Sequence, residues 1–183
     1  MYKEFLETFT LVFVAEMGDK TQLMLMTLAT KYTLIQMLVG ILIGVFLNHG
    51  AAVLVGSYIS NIMEQSLLQI FAGIIFIIFG IITIIFEEED KIEKHYNLSP
   101  IVTTAFTFLL GEMGDKTQLT CMTLAMESSC PYLVLSASVA AMLAIGFLGI
   151  IIGSSLTKYI PSYIIKTISG LIFIIFGIMR LLR

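Results

Sequence analysis

The sequence contains little charge. Of its 183 residues only 13% are Asp, Glu, Lys or Arg, 58% are hydrophobic, and the mean hydropathy is +0.99. A soluble domain is about 25% charged and about 45–50% apolar, so the composition excludes an ordinary water-soluble protein. The net charge of -3 and the lack of any basic run give no reason to expect a nucleic acid partner. The composition therefore indicates a membrane protein.

Cysteine is scarce as well. Cys121 and Cys130 have neither the number of a disulfide framework nor the spacing of a zinc site, and we expect no resident cofactor. The charged start of the chain runs into a long apolar segment, and no small-residue cleavage site lies between that segment and the buried acids that follow it. We therefore expect that segment to be a retained span and not a removable signal peptide.

Six long apolar stretches approach or exceed the roughly 20 residues that a helix needs to cross a bilayer. Short polar or proline-containing turns lie between most of them. The predicted spans are Phe5–Thr30, Leu34–Ile59, Leu67–Phe86, Ile101–Met126, Leu133–Leu156 and Ile164–Leu182. We thus predict an all-α membrane protein with six transmembrane helices.

The two halves of the sequence are copies of each other. The octapeptide EMGDKTQL begins at Glu16 and again at Glu112, and GIIFIIFGI from Gly73 is matched by GLIFIIFGI from Gly170. Each half has three spans, so the second half must enter the membrane from the opposite side. The prediction is two inverted three-helix repeats, residues 1–86 and 100–183, joined by an acidic central loop at 87–99. We favour a solvated linker for that loop over a cation sensor.

The octapeptide brings charge into apolar spans, where an ionised side chain costs about 2.5–3.5 kcal/mol. An internal salt-bridge lattice is one explanation, because Glu16 and Lys20 have the favourable i to i+4 order. We favour an ion pathway, because bare ion pairs seldom stabilise better than apolar packing. On an unbroken helix Glu16, Asp19 and Lys20 share one face. Gly18 and Gly114 offer the alternative of a kink or an unwound turn that frees backbone carbonyls.

The oxygen atoms of the two motifs form a set of hard ligands. Carboxylates, amides and hydroxyls suit Ca²⁺, Mn²⁺ or Mg²⁺ and do not suit a thiolate-bound metal. The candidate metal residues are Glu16, Asp19, Thr21, Gln22, Glu112, Asp115, Thr117 and Gln118. Lys20 and Lys116 are candidates for charge balance.

The second span contains a further polar pair, Asn48 and His49. The second half replaces this pair with Ile145 and Gly146. A lone histidine in an apolar helix is usually structural, and a proton relay is the alternative. Elsewhere, glycines spaced four or seven residues apart predict close helix contacts, as at Gly40/Gly44 and in the Gly73 and Gly170 segments.

The paired Glu-hydrophobic-Gly-Asp-Lys-Thr motifs, Glu16–Thr21 and Glu112–Thr117, resemble the signature of the Gdt-one family of cation exchangers. Members of that family exchange Ca²⁺ or Mn²⁺ for protons, and the bacterial ones are similar to manganese exporters of the MneA type. The resemblance covers the whole chain and implies that Glu16, Asp19, Glu112 and Asp115 coordinate the transported ion, with Thr21 and Thr117 nearby. The chain lacks the extra N-terminal hydrophobic segment of some eukaryotic members, which favours a bacterial-type cell membrane.

The function predicted from these features is export of a divalent cation, Mn²⁺ ahead of Ca²⁺, in exchange for protons. A Ca²⁺:H⁺ antiporter and a passive divalent-cation channel remain alternatives. A thiol-disulfide electron carrier would need a cysteine in each half, and both cysteines lie in the second. No enzymatic activity is expected.

The expected partners are the lipid bilayer and a divalent metal ion, and association of several copies stays open. Loop lysines predict a cytoplasmic central loop with both termini outside, by the positive-inside tendency. Five lysines lie on the side of the central loop, against three basic residues near the termini: Lys31, Lys91, Lys94, Lys158 and Lys166 against Lys3, Arg180 and Arg183.

Overall fold

The computed structural model describes residues 1–17, 25, 28–29, 31–85, 98–159 and 162–182, with the backbone alone at 152–159, 162 and 165–166. The central loop predicted at 87–99 therefore lies almost entirely outside the described residues. Within the described part every regular element is a helix, so that part of the chain is all-helical. In chain order the helices are α1 Tyr2–Glu16, α2 Leu34–Ser60, α3 Gln65–Ile85, α4 Pro100–Gly111, α5 Lys116–Glu127, α6 Pro131–Tyr159 and α7 Ser162–Leu181.

Local sequence signals fix where several helices begin. Thr33 is the N-cap of α2 and forms a capping box, in which the Thr33 side chain accepts from Gln36 N and Gln36 Oε1 accepts from Thr33 N at 3.1 Å. Helix α4 begins at Pro100, whose missing N–H is not needed in the first turn. Pro131 opens α6 in the same way.

Among the residues that the structure describes, three helical segments are long and apolar enough to cross a membrane: α2, α3 and residues Pro131–Ile151 of α6. Helix α4 and the Thr167–Leu181 part of α7 are apolar but shorter. Large apolar side chains cover much of the outer surface, such as Ile35 at 73% and Leu54 at 69% exposed. In water such a surface would be unstable, whereas lipid accommodates it. The chain is a membrane protein.

Helices α3 and α7, which carry the GIIFIIFGI and GLIFIIFGI segments, pack closely and antiparallel. A Cβ atom added at Gly73 would lie 2.9 Å from Gly177 O, and one added at Gly80 would lie 2.5 Å from Gly170 O. The contacts are reciprocal, because a Cβ at Gly170 would lie 2.6 Å from Gly80 O. The prediction that these glycines permit close packing is confirmed. Phe76 and Phe173, whose ring centroids are 5.9 Å apart, fill the same interface.

Helix α2 crosses both α4 and α5. At Gly40 an added Cβ would lie 2.5 Å from Thr104 Cβ, and at Gly44 it would collide with Ala105 O in α4. Farther along, Gly56 lies against Met122 O of α5. Helix α1 packs mainly on α6 and also touches α5. The second helix of each half therefore lies against the first span of the other half.

The span predicted over Ile101–Met126 is not one helix. Helix α4 ends at Gly111 and α5 begins at Lys116, so the second copy of EMGD lies in the break. In the first copy α1 ends at Glu16, and Met17 has an extended backbone with φ -67° and ψ 122°. The unbroken helix that would place Glu16, Asp19 and Lys20 on one face does not form, whereas the alternative of an unwound turn at Gly114 is confirmed. Residues 18–24 lie outside the described residues.

Candidate cation site at the second motif

The break between α4 and α5 is a four-residue turn, Glu112 to Asp115. Glu112 is the C-cap of α4, with φ -92° and ψ -1°, and Asp115 is the N-cap of α5, with φ -80° and ψ 167°. Between them Gly114 has φ +79°. A residue with a Cβ adopts this left-handed conformation at a cost, so glycine is the residue that turns the chain here.

Hydrogen bonds hold the turn in place. Gly114 N donates to Gln118 Oε1 at 2.7 Å, and Asp115 N donates to Glu112 O at 3.2 Å. The other end of the Gln118 amide, Nε2, lies 3.5 Å from Asn48 O on α2. Gln118, a predicted metal residue, thus connects the turn to the neighbouring helix through both ends of its amide.

Glu112 is a buried acid in this turn. Its side chain is 1% exposed, and its Oε2 accepts a hydrogen bond from Thr117 Oγ1 at 3.3 Å. Thr117 is itself fully buried. A carboxylate removed from water needs hydrogen bonds or a cation to offset the lost hydration. Two of the predicted site residues are therefore in direct contact.

Asp115 lies at the start of α5. Its Oδ1 accepts from Lys116 N at 2.7 Å, and its side chain caps the helix. The N-terminus of a helix carries partial positive charge and stabilises a carboxylate there. Lys116 follows as the first residue of α5 and is half-buried. The turn thus orders two acids by different means, burial for Glu112 and helix capping for Asp115.

Asn48 and His49 lie on α2 beside this turn. Asn48 Nδ2 donates to Leu109 O, in the last turn of α4, at 3.1 Å. Asn48 is 2% exposed and His49 is fully buried. Within the described part of the chain, neither ring nitrogen of His49 has a hydrogen-bond partner, nor does Asn48 Oδ1. The predicted proton-relay role of this pair stays a prediction.

The first motif is described in part. Glu16 is fully buried at the end of α1. The predicted site residues Asp19, Lys20, Thr21 and Gln22 lie outside the described residues. Among the residues that are described, no three His, Cys, Asp or Glu side chains form a group that could hold a metal ion. The structure thus brings together Glu112, Asp115, Thr117 and Gln118 at the turn between α4 and α5.

An ion cluster near the chain termini was not found by sequence reasoning. Arg180 of α7 contacts Glu7 of α1, and Arg180 Nη1 lies 2.6 Å from Glu127 Oε2 at the end of α5. All three side chains are at most 16% exposed. The sequence signal that could have indicated this cluster is the placement of acidic residues near the ends of apolar helices. The cluster connects the last helix, α7, to α5, the helix that Asp115 caps.

The turn has the chemistry of a hard-cation site. It presents carboxylate, hydroxyl and amide oxygens, which are preferred by Ca²⁺, Mn²⁺ and Mg²⁺. Helix α4 ends at this turn, and the C-terminal end of a helix carries partial negative charge. Broken helices of this kind form ion sites in transporters.

Comparison with known proteins agrees with this chemistry. The family model described as divalent cation/proton antiporter GDT1 matches residues 4–91 and 100–183. A GDT1-like protein of Schizosaccharomyces pombe is 39% identical over 82 residues, covering 45% of this chain and 31% of that protein. A proposed manganese exporter of Vibrio cholerae is 30% identical over 111 residues, covering 60% of this chain and 56% of its own length.

A third relative is the chloroplast protein PAM71 of Arabidopsis thaliana, 34% identical over 83 residues, which cover 43% of this chain and 21% of that protein. The chain therefore spans between about a fifth and a little over half of the relatives that it matches. No solved structure matches. The family model covers nearly the whole chain, including both motifs, and the chain belongs to the GDT1 family of divalent cation/proton antiporters.

Proposed function

We propose that this protein exports a divalent cation, Mn²⁺ ahead of Ca²⁺, in exchange for protons. The observation that carries the proposal is the buried Glu112 in the break between α4 and α5, where Thr117 contacts it and Asp115 caps the second of these helices. Ionisable groups at such depth are costly unless they serve an ion pathway. Support for Mn²⁺ comes from the Vibrio cholerae relative, and the ligand chemistry fits Ca²⁺ as well.

In this proposal both motifs contribute ligands. Glu16, Asp19, Glu112 and Asp115 bind the cation, and the threonines and glutamines that follow them, Thr21, Gln22, Thr117 and Gln118, supply or orient further oxygens. Lys20 and Lys116 reduce the charge of the empty site. His49, with Asn48 beside it, is the candidate proton relay. The protein has no resident cofactor, since the cation is cargo and the proton is the coupling ion.

Charge counting gives the stoichiometry. The two motifs carry four carboxylates and two ammonium groups, a net charge of -2 with all groups ionised. One divalent cation or two protons neutralise that charge. The protein changes conformation more easily when its site is neutral, because moving net charge through the low-dielectric interior is costly. Both loaded forms are neutral and therefore change conformation readily, whereas the empty form does not. The proposal is therefore exchange of one cation for two protons.

We further propose that the fold is a pair of inverted three-helix repeats with six spans. The glycine contacts of α3 and α7 support this arrangement. The repeat correspondence maps Gly73 onto Gly170 and Gly80 onto Gly177, so it exchanges the Gly73–Gly177 contact with the Gly80–Gly170 contact. A two-fold axis in the membrane plane produces such an exchange, because it reverses the direction of equivalent helices.

The proposed location is the cell membrane, with the central loop in the cytoplasm. The lysine distribution supports this orientation. Cysteines introduced into the central loop of a variant that lacks Cys121 and Cys130 should react with a membrane-impermeant reagent after cell lysis and resist it in intact cells. Labelling in intact cells would reverse the orientation.

The exchange itself is tested with purified protein in liposomes. An imposed pH gradient should drive Mn²⁺ uptake, and Mn²⁺, Ca²⁺ and Mg²⁺ should be compared side by side in the same preparation. We expect Mn²⁺ to move fastest and to accumulate above its external concentration only while the pH gradient is maintained. Entry that only equalises Mn²⁺ across the membrane, whether or not a gradient is imposed, would indicate a channel, and indifference to all three ions would refute the transporter.

A further inference from the structure

Asn48 lies where α2 crosses the break between α4 and α5. Its side chain donates to Leu109 O in the last turn of α4, and its backbone carbonyl accepts from Gln118 in the first turn of α5. One residue of α2 therefore touches both half-helices across the turn that contains Glu112. The second repeat has no matching amide, because Ile145 and Gly146 occupy the corresponding positions.

The contact with Leu109 determines which way the amide points. A backbone carbonyl accepts hydrogen bonds and cannot donate one, so the NH₂ group of Asn48 faces Leu109 O at 3.1 Å and Oδ1 faces away from it. Asn48 is 2% exposed, and Oδ1 has no hydrogen-bond partner among the residues that the structure describes. Buried amide oxygens in native proteins nearly always have a partner, because leaving one unsatisfied is costly.

We propose that Asn48 Oδ1 is a ligand of the transported divalent cation. This inference rests on the proposed function, and it adds a residue from outside both motifs. Amide oxygens are regular ligands of hard divalent cations. A neutral ligand increases coordination without altering the charge of the site, so it leaves the balance between one cation and two protons unchanged. Because the second repeat lacks this amide, the two halves contribute unequally to the cation.

The test compares Asn48→Leu with Asn48→Asp. Leucine has a similar volume and removes the amide, whereas aspartate keeps an oxygen and replaces the donor that faces Leu109 O. Asn61, the C-cap of the same helix, provides the matched control, because its Nδ2 also donates to a backbone carbonyl, Ser57 O at 2.9 Å. Asn61→Leu therefore removes a comparable hydrogen bond at an exposed position away from the motifs.

The measurement is the dissociation constant of Mn²⁺ alone for the purified full-length protein in detergent, together with its melting temperature with and without Mn²⁺. We expect Asn48→Leu to weaken Mn²⁺ binding at least about tenfold, as loss of groups around a metal site commonly does. Asn48→Asp should bind Mn²⁺ as tightly as the wild type or more tightly. Asn61→Leu should leave the dissociation constant unchanged.

A purely structural role for Asn48 predicts the opposite order. Aspartate would then be worse than leucine, because a carboxylate would face Leu109 O with no cation to bind, and both variants would melt at lower temperature without any metal. That order, or wild-type affinity in Asn48→Leu, would overturn the inference. If the wild-type protein itself neither binds nor transports Mn²⁺, Ca²⁺ or Mg²⁺, the proposed function fails instead, so the two failures are distinguishable.

Discussion

Substitution of Gly80 by alanine tests the packing of α3 against α7. The added Cβ would lie 2.5 Å from Gly170 O, 2.6 Å from Ile174 Cγ1 and 3.0 Å from Ile174 N. Carbon atoms pack best at about 3.5–4.0 Å, so the helices must separate by roughly 1 Å. The isoleucine side chain can move, but a backbone carbonyl within a helix cannot. Overpacking of this kind costs about 1–3 kcal/mol, and we expect a value near the middle of that range.

The assay is thermal unfolding of the purified protein in detergent. For a chain of this length about 2 kcal/mol corresponds to a fall in Tm of about 4–8 °C. Gly50→Ala is the matched control, because a Cβ at Gly50 meets no atom within 4 Å, and its effect should stay within about 0.5 kcal/mol. Gly80→Ala combined with Gly170→Ala should cost less than the sum of the single changes, because one separation of the helices relieves both contacts. Wild-type stability of Gly80→Ala would refute the contact.

Further predictions concern the turn and the ion cluster. Gly114→Ala should cost about 1–2 kcal/mol in thermal unfolding, because alanine is strained at φ +79°, and Gly114→Asn should be milder; equal Tm values would contradict this. Glu112→Gln should abolish Mn²⁺ transport in liposomes, whereas the exposed Glu64→Gln should not. Thr117→Val should raise the KM for Mn²⁺ about tenfold by removing a hydrogen bond to Glu112, and an unchanged KM would remove Thr117 from the site. Arg180→Gln should lower stability by about 1–3 kcal/mol, because two nearby carboxylates lose a shared cation; unchanged unfolding would assign the cluster no structural role.

Much of the helical arrangement could be predicted from the sequence because the lengths of the hydrophobic stretches, and the capping and turn residues between them, are local signals. Thr33 with Gln36, Pro100 and Pro131 mark helix starts through their own chemistry. The repeated glycines predicted close contacts because a residue without a Cβ atom lets a neighbouring helix approach closely. The contact between α3 and α7, with its reciprocal glycine pairs, joins residues that are far apart in the sequence. Local patterns therefore could not predict it.

The form of the site was less predictable. A glycine within an apolar segment is compatible with a continuous helix, so the break at Gly114 depended on surrounding contacts, including the bond from its own N–H to Gln118. Gln118 was predicted as a metal residue from its oxygen atom, yet both ends of its amide also brace the turn. The pairing of Arg180 with Glu7 joins residues from opposite ends of the chain. From the sequence, Arg180 entered only the count of basic residues that predicts the orientation in the membrane.

The central claim is that divalent cation movement is coupled to protons through the buried acids. The most direct measurement places a Mn²⁺ gradient across liposomes that contain the protein, with equal pH on both sides, and records internal pH and Mn²⁺ together. The account predicts counter-movement of about two protons per Mn²⁺ at a rate nearly independent of membrane voltage, because both loaded sites are neutral, and no movement with Glu112→Gln. Mn²⁺ entry without proton movement, or a rate that follows the voltage, would contradict it.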